Sequence, residues 1–197
     1  LMNTPIAIIG FGGHGRVVSA ALQAAGQSIV AATDLEPSRF VGQALDFEVI
    51  SDAALVKRYS PTRVWLVCGM ASIFPCTPDD PRVRSIETFK TLGYRFVGLR
   101  HPFCWTAPQA MLANTCQVHA GAILQPGAIV GDFTIINTRA SVDHDRRIGE
   151  LCHIGPGVTL SGNVEIGVGS HLGTGCTVIQ GVKLGNQCFV AAGATVV

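Results

Sequence analysis

The sequence predicts a two-part protein: a small parallel α/β unit, then a parallel β-solenoid built from six-residue strand-and-turn units. Three observations predict it. From residue 113 onward a branched aliphatic recurs at every sixth position without a slip. Before that, short apolar runs alternate with helical stretches, the order of a parallel sheet with helices. The first of those runs opens onto a glycine-rich turn and then a helix.

In the front unit, residues 5–9 (PIAII) read as a buried strand. Gly10-Phe11-Gly12-Gly13-His14-Gly15 follows, then the helical stretch RVVSAALQAAG ending at Gly26. SIVAAT is a second strand with Asp34 at its end, and VWLVC (64–68) is another, followed by Gly69. A helix is predicted around Val83–Leu92, and YRFVGL is predicted as the last strand. The segment FPCTPDDP (74–81) holds three prolines and reads as a surface loop.

A glycine-rich turn between a first strand and a helix start is suited to phosphate. Its backbone N–H groups face an anion, and glycine lets the anion come close. Asp34 is placed to reach a ribose or a base. The unit ends near residue 100, without the second half that a dinucleotide domain requires. A mononucleotide or nucleotide sugar is therefore favoured over NAD. An NAD-dependent oxidoreductase is disfavoured further by the lack of a hydride-transfer site.

His101-Pro102 begins the transition, giving predicted domains 1–100 and 101–197. In the repeat, the sixth position runs Val118, Leu124, Val130, Ile136, Val142, Ile148, Ile154, Leu160, Ile166, Leu172, Val178, Leu184, Val190, Val196. The fourth position holds small residues throughout, Arg146 alone excepted. A period of six matches neither a helix nor a variable hairpin meander. It suits three short strands per coil of 18 residues, with one aliphatic per strand pointing into a narrow prism. Residues 18 apart then lie above one another, as Cys116, Thr134, Cys152, Ser170 and Cys188 do. These cysteines, with Cys176, read as small core filler. Seven cysteines without CxxC spacing support neither a disulfide framework nor a metal site.

Composition narrows the remaining classes. Hydrophobic residues make up 48%, which excludes a disordered chain. Charged residues make up 14% with a formal net charge of +1, so nothing suggests a nucleic-acid surface. No apolar run reaches the roughly 18 residues of a membrane span. The opening LMNTPIAIIG lacks the basic stretch of a signal peptide, and Leu1 before Met2 reads as an added residue. A cytoplasmic protein is expected.

The repeat resembles the hexapeptide-repeat acyltransferases, which implies a left-handed β-helix, a homotrimer, and acetyl-CoA in a groove between neighbouring prisms. With the front half included, the whole chain resembles the bacterial nucleotide-sugar N-acetyltransferases. Those of bacillosamine synthesis and of GDP-perosamine are examples, and proteins described as sialic acid O-acetyltransferases look similar. The marks are the Gly-x-Gly-Gly-His-Gly turn at 10–15 and Asn137-Thr138-Arg139-Ala140-Ser141-Val142-Asp143-His144-Asp145 with Ile148-Gly149 behind it.

The resemblance implies that His144 is the general base and that Asp145 orients its ring. The chemistry agrees independently: amide formation from a thioester needs a free amine, whose nitrogen must shed a proton as it bonds to the carbonyl carbon, and imidazole titrates near neutrality. His144 stands by a corner of the repeat and is expected to face outward. The resemblance places Gly12, Gly13, His14, Asp34 and Gly69 against the nucleotide sugar. It places His153, Gly162, Thr174 and Ala192 against coenzyme A, the last three through main-chain groups. His171, 18 residues beyond His153, is expected directly above it.

In two places the chain departs from the family pattern. Met70-Ala71-Ser72 replace an Asn- or Asp-rich turn after Gly69, and the proline-rich loop looks inserted. Relatives also continue past the position of Val197 into a short tail that helps cover coenzyme A. The expected function is transfer of acetyl from acetyl-CoA to the amine of a UDP- or GDP-linked amino sugar, without a metal. The alternatives are O-acetylation of a sugar hydroxyl and a non-catalytic nucleotide-binding scaffold. Retention of Asp143-His144-Asp145 argues against the scaffold.

Overall fold

The computed structural model describes residues 4–197, so Leu1 and Met2 lie outside the described residues. The chain divides into two compact units. One takes in the chain up to Ala71 together with Pro81–Val97, and the other is Ser72–Asp80 with Gly98–Val197.

The first unit is a five-stranded parallel sheet in the order β3-β2-β1-β4-β5. Its strands are β1 (Ile6–Ile9), β2 (Ile29–Thr33), β3 (Glu48–Ile50), β4 (Trp65–Cys68) and β5 (Arg95–Phe96). The helices are α1 (Gly13–Ala24), α2 (Asp52–Arg58) and α3 (Pro81–Thr91). All four residues of β1 are buried, which in a strand of period two means that both faces are covered. Leu55 of α2 and Phe89 of α3 join Ala7, Ile9, Ala31 and Leu66 in one apolar cluster. β3 adds to the elements read from sequence. Ser51 starts α2, its hydroxyl accepting from Ala54 N–H at 3.2 Å.

The predicted last strand YRFVGL divides between the two units. Arg95–Phe96 pairs with β4, whereas β6 (Leu99–Arg100) pairs with β9 (Gln117–Val118) in the second unit. Gly98 sits at the break. A Cβ there would run into the carbonyl of Cys116, so only glycine passes.

The second unit carries two-residue strands every six residues, from β6 to β22 (Thr195–Val196). They form three parallel sheets of six, five and six strands. The repeat read from residue 113 therefore starts earlier, at Leu99. The first rungs escaped the aliphatic rule because Arg100 and Thr106 occupy the sixth position there. Every sixth-position residue from Val118 to Val178 is buried in one continuous core.

Each unit turns at its third residue. Positions 121 to 193, at intervals of six, all have φ between 55° and 79°. Seven are glycine, and the others are Phe133, Arg139, Asp145, Leu151, Asn163 and Gln187. Left-handed backbone costs a side-chain-bearing residue energy, and Asp and Asn tolerate it best.

Cys116, Cys152 and Cys176 are buried core filler, and burial pushes the Cys116 thiol up to about 11. Buried hydroxyls in the same column are satisfied by backbone. Thr134 Oγ1 donates to Gly149 O at 2.7 Å, and Ser170 Oγ donates to Gly185 O at 3.0 Å. The proline-rich segment is more than a surface loop. Cys76 is buried, and its N–H donates to Gly169 O at 2.7 Å, which fastens the segment to the prism. Among the described residues no helix is long and apolar enough to cross a membrane.

Candidate active site

The first unit gathers Gly10, Asp34 and Gly69 at the carboxyl ends of β1, β2 and β4. With order 3-2-1-4-5, the chain reverses its direction of winding between β1 and β4, where open parallel sheets leave a ligand crevice. Gly10 has φ +87°, and a Cβ on Gly15 or Gly69 would collide with the Gly10 carbonyl. Those glycines serve close packing. Gly12 and Gly13 differ: a Cβ on either would meet nothing within 4 Å. No packing requirement explains them, so open backbone is available at the start of α1. No side chain caps that helix, which leaves N–H groups pointing outward.

Thr33 Oγ1 accepts from Gly10 N–H at 3.2 Å and ties the turn to β2. Asp34 follows directly, and its Oδ1 accepts from Glu36 N–H at 2.9 Å. His14 is half-buried in the first turn of α1. Met70, where the family pattern changes, packs against Gly10.

In the second unit His144 stands at the corner between β13 (Ser141–Val142) and β14 (Arg147–Ile148). Its side chain is 54% exposed, as the outward placement predicts. Asp145 is the left-handed corner residue, φ 55°, and this turn brings its Oδ2 within 2.9 Å of His144 Nδ1. One residue thus serves both the coil's turn and the pair. Asp143 Oδ1 accepts from His144 N–H at 2.9 Å, fixing the backbone on the other side.

The coils above and below shape this pair. A Cβ on Gly162 would lie 2.9 Å from His144 Nε2. A Cβ on Gly127 would meet Asp145 Oδ1. Gly162 was legible in the sequence, but only as a coenzyme A contact. Gly127 was missed, although its distance of 18 residues from Asp145 was the available signal.

The other prism candidates lie elsewhere. His153 and His171 are in register on neighbouring strands, their rings edge to face with centroids 4.9 Å apart, on the sheet that also holds Phe189. His153 Nδ1 is 3.0 Å from Ser72 O, and its Nε2 is 3.1 Å from Asn137 Nδ2. Both ring nitrogens therefore have protein partners. Thr174 and Ala192 follow β18 (His171–Leu172) and β21 (Phe189–Val190) at a second corner, one wall away from the corner of His144 and Gly162. Among the described residues no group of three or more His, Cys, Asp or Glu could hold a metal.

A coiled parallel prism with an outward imidazole–carboxylate pair over a glycine is the build of an acyltransferase, and comparison with known proteins narrows the class. The family described as the PglD N-terminal domain matches residues 5–72. A histidine-to-alanine mutant of GDP-perosamine N-acetyltransferase from Caulobacter crescentus, in complex with CoA and GDP-perosamine, is 33% identical with a TM-score of 0.86. The match covers 98% of this chain and 88% of that one. The acetyltransferase domain of PglB from Neisseria gonorrhoeae is 34% identical over 99% of this chain and 92% of that one, TM-score 0.84. The same domain in complex with acetyl coenzyme A gives 33% identity over 98% and 95%, TM-score 0.76. A comparison with curated proteins finds no match.

The chain belongs to the hexapeptide-repeat, left-handed β-helix family of bacterial nucleotide-sugar N-acetyltransferases, and it is an acetyltransferase.

Proposed function

We propose that the protein transfers acetyl from acetyl-CoA to the amine of a nucleotide-linked amino sugar, with His144 as general base. The observation that carries this reading is the 2.9 Å contact between His144 Nδ1 and Asp145 Oδ2, on a ring whose Nε2 faces outward over Gly162. The carboxylate fixes the tautomer with the proton on Nδ1 and leaves Nε2 as the acceptor.

The amine nitrogen attacks the thioester carbonyl, and Nε2 takes the proton that the nitrogen loses. The carbon–sulfur bond then breaks, and the imidazolium returns that proton to the departing thiolate. Main-chain N–H groups of the prism wall supply donors for the oxygen that gains charge. Gly12, Gly13, His14 and Asp34 hold the nucleotide, and Gly69, whose missing Cβ lets the Gly10 carbonyl pack against it, lies beside them. His153, Gly162, Thr174 and Ala192 line the acetyl-CoA groove, with His153 acting through its ring face because its nitrogens are engaged.

The working form is a homotrimer. Thr174 and Ala192 sit at a different corner from His144 and Gly162, so a ligand reaching both corners fits between two copies. The wall separating the corners carries Trp105 and Ile123 in register, 50% and 40% exposed, an apolar pair suited to burial by a second copy. Seven cysteines without a disulfide suit a reducing cytoplasm.

Transfer assays with UDP- and GDP-linked amino sugars test the reading, alongside His144→Ala and calorimetry. Loss of turnover with retained acetyl-CoA binding is expected of the variant. Near-normal turnover would reject His144. Absence of binding by either sugar class would reject the substrate, and an active monomer in light scattering would reject the trimer.

A further inference from the structure

Arg146 is the anomaly of the prism. It occupies the fourth position of its repeat unit, where the coils before and after it in the same column carry Ala128 and Val164, both fully buried. Arg146 is itself only 1% exposed. Its Nε, Nη1 and Nη2 are buried with no hydrogen-bond partner among the described residues. An unsatisfied buried cation is costly, and an aliphatic of suitable size fits the same station one coil later. Stability therefore does not explain it.

What the guanidinium does meet is the turn that carries His144. Nη2 lies 3.9 Å from Asp143 Oδ2, and Asp143 and Asp145 both act on it electrostatically. Burial lowers the Arg146 group to about 10, against the pull of both carboxylates, so it stays charged at neutral pH. Asp143 is thus held from two sides: Oδ1 by His144 N–H, and Oδ2 by the charge inside the prism.

The surroundings contain little else that carries charge. In the columns through Asp143, His144 and Asp145 the adjoining coils present Gln125, Pro126, Gly127, Ser161, Gly162 and Asn163, none of which titrates. On the neighbouring sheet Arg147, Glu165 and Lys183 are in register and point outward, and Glu165 pairs with Lys183 at 2.7 Å.

We propose that Arg146 is a positioning residue for His144: a cation inside the prism that holds Asp143 in place and offsets one of the two negative charges flanking the base. The guanidinium faces the Asp143 carboxylate, whose other oxygen fixes the His144 N–H, and it reaches the base only through that carboxylate. The inference rests on the reading of His144 as base.

The test compares Arg146→Val, the residue the next coil carries at this station, with Arg146→Lys and His144→Ala in the full chain. Arg146→Val is expected to keep or raise the melting temperature. It should lower kcat by roughly tenfold with KM for both substrates unchanged, a split that a loss of packing alone would not give. Arg146→Lys, which keeps the charge, should hold kcat close to wild type.

Unchanged turnover in Arg146→Val would overturn the proposal. So would a lowered melting temperature with normal turnover per folded molecule, the mark of a purely structural role. An active His144→Ala would instead bring down the assignment of the base. An inactive His144→Ala beside an unaltered Arg146→Val would bring down only the role of Arg146.

Discussion

The Nε2 of His144 stands 2.9 Å from the point that a Cβ on Gly162 would occupy, one coil further along the prism. The proposed base is therefore set against a glycine that nothing larger can replace without moving the ring. Gly162 does not need glycine for its backbone, since its φ lies outside the left-handed region. The steric demand comes from His144.

Gly162→Ala should fold normally, because the imidazole is a mobile side chain that can give way. The displaced ring should cost roughly ten- to a hundredfold in turnover, since small misplacements of reacting groups are expensive. Circular dichroism and kcat measured together check this. Normal kcat would mean that the ring is not held where the reaction needs it.

Asp145→Asn removes the negative charge from Nδ1 while keeping an oxygen that can accept its proton. The imidazolium formed during the reaction loses its counter-charge, so kcat should fall roughly tenfold. Steady-state rates at saturating substrate check this, and an unchanged kcat would mean that the carboxylate does not support the base.

The glycines of the first unit should divide into two classes. Gly69→Ala drives a Cβ into the Gly10 carbonyl and should destabilise the unit by about 1–3 kcal/mol. Gly13→Ala meets no atom within 4 Å and should leave the melting temperature unchanged or slightly raised. It should weaken nucleotide-sugar binding if ligand approaches that backbone. Thermal melting and calorimetry on both variants separate packing from binding.

His171 gives a pH dependence of stability. Burial lowers its imidazole below the usual histidine range, beside the stacked ring of Phe189 at 5.5 Å. Between the folded value and an unfolded value of about 6.5 the unfolded chain binds the extra proton. Stability from this group is thus present above about pH 6.5 and declines as pH falls. His171→Phe, which extends the ring stack, should flatten the fall of the melting temperature between pH 7.5 and 5. An unchanged slope would locate the dependence elsewhere.

The sequence was most informative where one residue per turn answers a fixed geometric demand. The aliphatics from Val118 to Val196 determined the prism and its 18-residue stacking, because a narrow interior admits one branched side chain per strand. That stacking also put His153 under His171 before any coordinates. The period could not be followed back through Arg100 and Thr106, where the first rungs lack aliphatics. Nor did the strand YRFVGL reveal its division at Gly98, because pairing partners lie far away in the chain.

The candidate site shows the same limit. Resemblance to a known family marked out His144 and Asp145, and the glycine turn between strand and helix stood out by its residue types and spacing. Only the tertiary structure decided that Gly127 and Gly162 bracket the pair, that Ser72 reaches His153, and that Arg146 points its charge inward at Asp143. The physical reason is that local sequence dictates how each strand turns and which side chain faces the core. Contacts across coils, and the electrostatics they create, exist only once the strands have stacked.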